Sequence, residues 1–235
     1  MADSYISITK CMRILLLLLT ACGISAQGAT RLLRENLEGL RNHEVIQNSG
    51  TVQVGYTPAL QGTSSMRIVK GEGTDTYVLS YEHLNPPTNT VVSLATAWSY
   101  NLFQPVTLAA APTILQFRDS SSNVLAKVTL NNDGTATVDC GGASATTSAA
   151  MSAGSPYHLW FRYTKGTGAD AIASFAFSAD GVRPASGNAF AQVNTGTSTG
   201  NVARVALGYL EGTSGTPEGI FDRHLVREAA IGNSP

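Results

Sequence analysis

Charge is scarce in this chain: Asp, Glu, Lys and Arg make up 13% of 235 residues, for a formal net charge of −1. No window gathers basic residues, and that excludes the electrostatic footprint on which nucleic-acid binding depends. Cysteine is nearly absent. Of the three, Cys11 and Cys22 lie in or beside an N-terminal apolar run, and only Cys140 is left for the folded part, so no internal disulfide can form there. No apolar run reaches the roughly 20 residues of a membrane-crossing helix. His43, His83, His158 and His224 are widely spread, and neither H-x-x-x-H nor C-x-x-C occurs, so zinc has no local ligand pattern. Lys165 to Ala169 is Gly-rich but lacks G-x-x-x-x-G-K-[ST], which reads as a tight hairpin and not a phosphate cradle.

What is present begins with an address. Lys10 and Arg13 precede the apolar run Ile14 to Ala21, and Ile24-Ser25-Ala26 offers a small-residue cleavage site before Gln27. This is the order of a secretory signal peptide. Leu19-Thr20-Ala21-Cys22 also resembles a bacterial lipobox, which would make Cys22 the acylated first residue of the mature chain and the one route to a membrane. Cleavage before Cys22 and before Gln27 both remain open, as do starts at Met1 and Met12. The expectation is a signal over 1–26, a single domain over 27–235, and an exported protein of a bacterial envelope or medium.

The domain reads as all-β. Ile114 to Phe117, Val124 to Leu130 and Thr135 to Asp139 are short β-rich runs separated by Asp119 to Asn123 and by Asn131-Asn132-Asp133-Gly134, a hairpin signal. Tyr157 to Tyr163 and Ala171 to Ser178 flank another turn, and Asn201 to Leu210 and Gly219 to Val226 form a further pair. Upstream, Ser65 to Val69, Thr76 to Glu82 and Val91 to Tyr100 complete ten or so strands, enough for a sandwich or barrel. Phe175 and Phe177 alternate with small residues, and Val205 and Leu207 alternate about Arg204, which assigns all four to a core. Leu33, Leu37 and Leu40 recur at helical spacing within Leu32 to Val45, the one helical competitor. The low-complexity pieces Ala143 to Ser155 and Asn194 to Asn201 read as mobile loops. Cys140, with no His or basic residue near it in sequence, reads as a half-buried strand-end thiol before a nucleophile.

The order Leu159-Trp160-Phe161-Arg162-Tyr163-Thr164-Lys165-Gly166, Ser178-Ala179-Asp180-Gly181, Arg204-Val205-Ala206-Leu207-Gly208 and Phe221-Asp222 resembles the C-terminal part of concanavalin A-like lectin/glucanase domains, laminin G-like ones included. Glu35-Asn36-Leu37-Glu38-Gly39 and Gly62 to Arg67 fit the first strands of that family, so the resemblance covers about residues 33 to 231. It implies a jelly roll of two antiparallel sheets whose concave face often holds glycans. It also implies a structural calcium held by acids near the first and last strands, here Glu38 and Asp222; the alternative for Asp222 is a solvated residue or an acceptor of backbone hydrogen bonds. The alternate-position acid cluster of the glucanases is missing. The nearest approaches are Glu35 with Glu38 and Glu211 with Glu218.

One strand offers site chemistry. His158, Trp160 and Arg162 share a face, and Tyr157, Leu159, Phe161 and Tyr163 share the other. An indole can stack on a sugar ring while His and Arg donate to hydroxyls or a carboxylate, so the trio is the candidate ligand platform. The alternative is a Trp that covers the outer sheet beneath a loop. Trp98 and Tyr100 form a second pair, which Val92 and Leu94 on the same face draw towards the core. Three functions fit: non-catalytic recognition of a carbohydrate or another surface polymer, a structural self-associating envelope protein, and a polysaccharide-degrading enzyme that needs converging acids or a His/Tyr pair.

Overall fold

The computed structural model describes residues 31–35, 43–47, 50–71, 75–81, 93–108, 111–211 and 215–234. Residues 1–26, read above as a signal, with Cys22, and Glu38 lie outside them. Among the described residues there is no helix and there are fifteen strands. They are β1 Arg31–Glu35, β2 His43–Gln47, β3 Thr51–Tyr56, β4 Ser65–Val69, β5 Thr76–Tyr81, β6 Thr96–Pro105, β7 Thr113–Arg118 and β8 Val124–Leu130. The second half adds β9 Ala136–Cys140, β10 Ala143–Thr146, β11 Tyr157–Thr164, β12 Ala171–Ser178, β13 Phe190–Gly196, β14 Arg204–Leu210 and β15 Glu218–Arg227.

All registered pairs are antiparallel, and they build two sheets. The eight-stranded sheet runs β13-β12-β11-β6-β15-β4-β3, with β1 added beside β15. The seven-stranded sheet runs β10-β9-β8-β7-β14-β5-β2. This is the jelly-roll sandwich that the resemblance implies, with the two-sheet core that the alternation of large and small residues supports. Leu159, Phe161, Tyr163, Phe175 and Phe177 from one sheet meet Leu115, Phe117, Val205 and Leu207 from the other in one buried cluster. The rings of Phe117 and Phe161 stack across the gap, 4.3 Å between centroids and 11° apart. Phe175, Phe177, Val205 and Leu207 are core, as their period of 2 requires.

Three local expectations give way. The leucine spacing over Leu32 to Val45 is not helical where it is described: β1 and β2 are strands of different sheets. Partners β15 and β5 fix these segments against their helical periodicity. The low-complexity pieces hold strands too, β10 at 143–146 and β13 at 190–196. Their small residues suit a seam, since a Cβ on Gly196 would lie 2.6 Å from Cys140 Sγ. Thr197 Oγ1 donates to the Gly141 carbonyl at 2.9 Å, and Ser148 and Ala149 N–H both donate to the Asn188 carbonyl. Leu94, finally, does not share a face with Trp98 and Tyr100. It precedes β6 in an isolated bridge to Val202 and joins the main core, whereas the two aromatics lie in a satellite cluster on the outer side of the sheet.

Candidate functional site

The outer face of the eight-stranded sheet holds His158, Trp160 and Arg162 side by side along β11, and across the ladder Trp160 pairs with Tyr100 and Arg162 with Trp98. The expected exposed platform is absent, because Trp160 is only 1% exposed. Its ring lies 5.6 Å from Tyr100 and 6.1 Å from His158, and the buried Ile231 of the C-terminal segment joins the same cluster. That segment is fastened: Ser234 N–H donates to the Gly181 carbonyl at 2.7 Å, and Asn233 Oδ1 accepts from Arg183 N–H at 3.1 Å. Trp160 is therefore a covered aromatic, and the reading of a Trp beneath a loop prevails over stacking.

The same covering makes a Tyr–His contact that the linear sequence hides. Tyr100 Oη lies 2.7 Å from His158 Nδ1 and 3.1 Å from Ser234 Oγ. Burial pushes the Tyr100 phenol up and, against the charge of Asp180, pulls the His158 imidazole down. Beyond His158, a cavity of about 490 Å³ opens between the ends of β11 and β12 and the following loop, lined by Tyr157, Phe177, Asp180, Val182 and Pro184.

Asp222 is fully buried, and its two carboxylate oxygens accept the backbone N–H groups of Gln61 (2.9 Å) and Arg223 (2.7 Å). It ties a loop to the bulge in β15, the backbone-acceptor alternative of the sequence reading. Among the described residues no group of three or more His, Cys, Asp or Glu side chains could hold a metal. Glu211 and Glu218 do not converge: Glu218 pairs with Arg67 at 2.6 Å on the eight-stranded sheet, and Glu211 with Lys127 at 2.6 Å on the other. Cys140 ends β9 fully buried, and desolvation, with Asp139 adding to it, pushes its thiol up to about 11, far from a nucleophile's range.

The outer face of the seven-stranded sheet carries a network that sequence reading missed. Arg118 Nε donates to Gln116 Oε1 at 2.7 Å, Gln116 Nε2 donates to Glu211 Oε1 at 2.8 Å, and Lys127 Nζ reaches Glu211 Oε2. The Arg118 guanidinium also lies over the Tyr77 ring, 5.2 Å from its centroid, with Nη1 3.5 Å from the phenol oxygen. Gly208, at φ 139°, lets β14 approach so closely that a Cβ there would sit 2.7 Å from Tyr77 Cα. Beside this cluster Thr113, Thr129, Thr137 and Thr146 form a row across four strands, with hydroxyl contacts of 3.3 Å between the first two and 2.9 Å between the last two. Glu211 has φ 47°, a strained value for a residue with a side chain, and its N–H donates to Asp75 Oδ1 at 2.9 Å. One signal was available: Gln116 is a polar residue inside the otherwise apolar run Ile114 to Phe117.

No protein-family model matches the sequence, and no curated protein matches it. Solved structures do. An endo-β-1,4-glucuronan lyase from the fungus Trichoderma reesei superposes with a TM-score of 0.59 at 14% identity, covering 85% of this chain and 96% of that one. Cellulose-induced protein Cip1 gives 0.63 at 11% identity over 85% and 99% of the two chains. A PL-14 alginate lyase from the marine Aplysia kurodai gives 0.55 at 9% identity over 84% and 99%. At these identities the likeness is one of fold, a jelly-roll β-sandwich.

Proposed function

We propose that this protein is an exported polysaccharide-binding domain that takes an acidic glycan on the outer face of its seven-stranded sheet. One observation carries the reading. Arg118 is held by the amide of Gln116 and the phenol of Tyr77, and among the described residues it forms no ion pair. A guanidinium fixed in this way keeps its charge and its remaining N–H donors for a carboxylate. The threonine row alongside offers hydroxyls at the spacing of the strands, which suits the hydroxyls of a sugar chain. Two of the structures it resembles are named for glucuronan and alginate, polymers of uronic acid. The proposal of export rests on the signal-peptide pattern read over residues 1–26, and bacterial envelope or medium is the proposed location.

The test is affinity electrophoresis through gels containing polyglucuronate, alginate or a neutral glucan. Retardation is expected in the acidic gels alone. Arg118→Gln should weaken it about tenfold or more, the value of one lost charge-assisted hydrogen bond, with the melting curve unchanged. Equal retardation in the neutral gel, or an Arg118→Gln protein that binds like the parent, removes the reading.

A second reading, eliminative cleavage, is favoured by the phenol of Tyr77 beside that guanidinium. A bound uronate whose carboxylate faced Arg118 would have its neighbouring C–H within the range of a positioned proton acceptor. Loss of that proton and departure of the glycosidic oxygen, which takes up a proton, leave a carbon–carbon double bond without consuming water. Release of an ultraviolet-absorbing unsaturated product, abolished in Tyr77→Phe, is the expected signature. Binding without such a product leaves the domain non-catalytic.

A further inference from the structure

We propose that Arg162, Arg183 and Arg227, gathered around Trp98, form an anion-binding site on the outer face of the eight-stranded sheet. The site takes the acidic groups of a polysaccharide and is separate from the Arg118 face. The register brings the parts together. β11, β6 and β15 are neighbours, and Arg162, Trp98 and Arg227 stand directly opposite one another on one face. The loop after β12 then delivers Arg183. The guanidinium carbons of Arg162 and Arg183 lie 5.4 and 4.7 Å from the centre of the Trp98 ring, and the indole is only 9% exposed beneath them.

Two observations mark this cluster as built for a ligand. Among the described residues none of the three arginines forms an ion pair; the two salt bridges found there belong to Arg67 and Lys127. The nearby acids are otherwise engaged or absent from the contact: Asp180 accepts the Val182 N–H, and Asp222 accepts two backbone N–H groups. The Nε atoms of both Arg162 and Arg227 are also buried without a hydrogen-bond partner. Three like charges with unused donors are costly to hold together, and an oxyanion between them removes both the repulsion and the unsatisfied hydrogen bonds. The indole positions the cations without neutralising them, because a cation over a π face keeps the N–H donors at its edge.

The row continues away from the arginines. Arg162 pairs with Ser174 and Ser174 with Gln192, so Gln192, Ser174, Arg162, Trp98 and Arg227 cross five strands on one face. At the usual strand spacing that is about 19 Å, a track for a polymer segment more than a pocket for one small ion. Carboxylates of a polyuronate and sulfate esters share the chemistry such a row recognises.

The chain's two tryptophans, Trp98 and Trp160, both belong to this face, so intrinsic fluorescence reports on it and not on the opposite sheet. Titrating the protein with polyglucuronate, dextran sulfate and neutral dextran should change the emission with one or both polyanions and not with dextran; which polyanion binds tighter distinguishes carboxylate from sulfate. The same response should persist in Arg118→Gln, whose loss of binding belongs to the other face. Arg183→Gln and Arg162→Gln should each weaken the fluorescence-detected affinity about tenfold. If the melting curve shows that Arg162→Gln does not fold, Arg183→Gln on its loop decides alone. Emission that ignores both polyanions, a response to dextran of equal size, or an Arg183→Gln protein with parental affinity overturns the site.

Discussion

Phe175 lies at the middle of β12 with no exposed surface, paired across the ladder with the equally buried Phe161. Phe175→Ala removes a ring that nothing nearby can replace, and a loss of about 3 to 5 kcal/mol is expected in chemical denaturation. Trp160→Ala should cost a similar amount, because this residue is 1% exposed, and polysaccharide binding should change only as far as the fold does. His158 provides a pH test. Desolvation is the largest influence on its imidazole and lowers its pKa, Asp180 opposes it, and Arg223 adds to it. The unfolded chain therefore takes up this proton at a higher pH than the folded one, so stability falls as pH drops from about 6.5 towards the folded value. Melting temperatures measured across that interval should decline in the parent and flatten in His158→Gln.

Elements were legible wherever one face was apolar and the other small or polar. Val124 to Leu130 and Ala171 to Ser178 alternate in this way and are strands at those boundaries. β10 was illegible because its residues are small on both faces, and the end of β13 because Asn194, Thr195 and Gly196 open a run of Asn, Thr, Gly and Ser with no apolar alternation. What holds them is a seam between sheets, seen in Gly196 against Cys140, and no local pattern encodes that contact. The functional faces were half legible. Along β11 the sequence groups His158, Trp160 and Arg162 correctly but is silent about the segment that packs by Trp160 and His158, since Ile231 and Ser234 arrive from more than seventy residues beyond these two. Arg118, Gln116 and Glu211 were invisible as a unit, because strands β7 and β14 meet only through the sheet. The covering segment is testable as an element. Ending the chain at Arg227 removes Ile231 and the Ser234 contacts, so tryptophan emission should shift to the red and the melting temperature should fall, while the β-dominated circular dichroism spectrum is kept.

The whole molecule shows why fold class was the most secure inference: ten or so alternating runs need two buried faces, and a sandwich supplies both. Which outer face does chemistry is a different matter, set by cross-strand register, and one residue of slip would send Arg118 or Trp98 into the core. The strand order carries one more implication, for biogenesis. β15 lies between β6 and β4, and β14 between β7 and β5, so the two latest strands among the described residues are the ones that join each sheet's halves. A nascent chain that stops before residue 204 holds β3 and β4 apart from β6, β11, β12 and β13, and β2 and β5 apart from β7 to β10. Neither sheet can close before the strand that joins its halves, β14 or β15, has been made. Until then neither sheet is continuous, so the sandwich is completed only once β14 and β15 are both available.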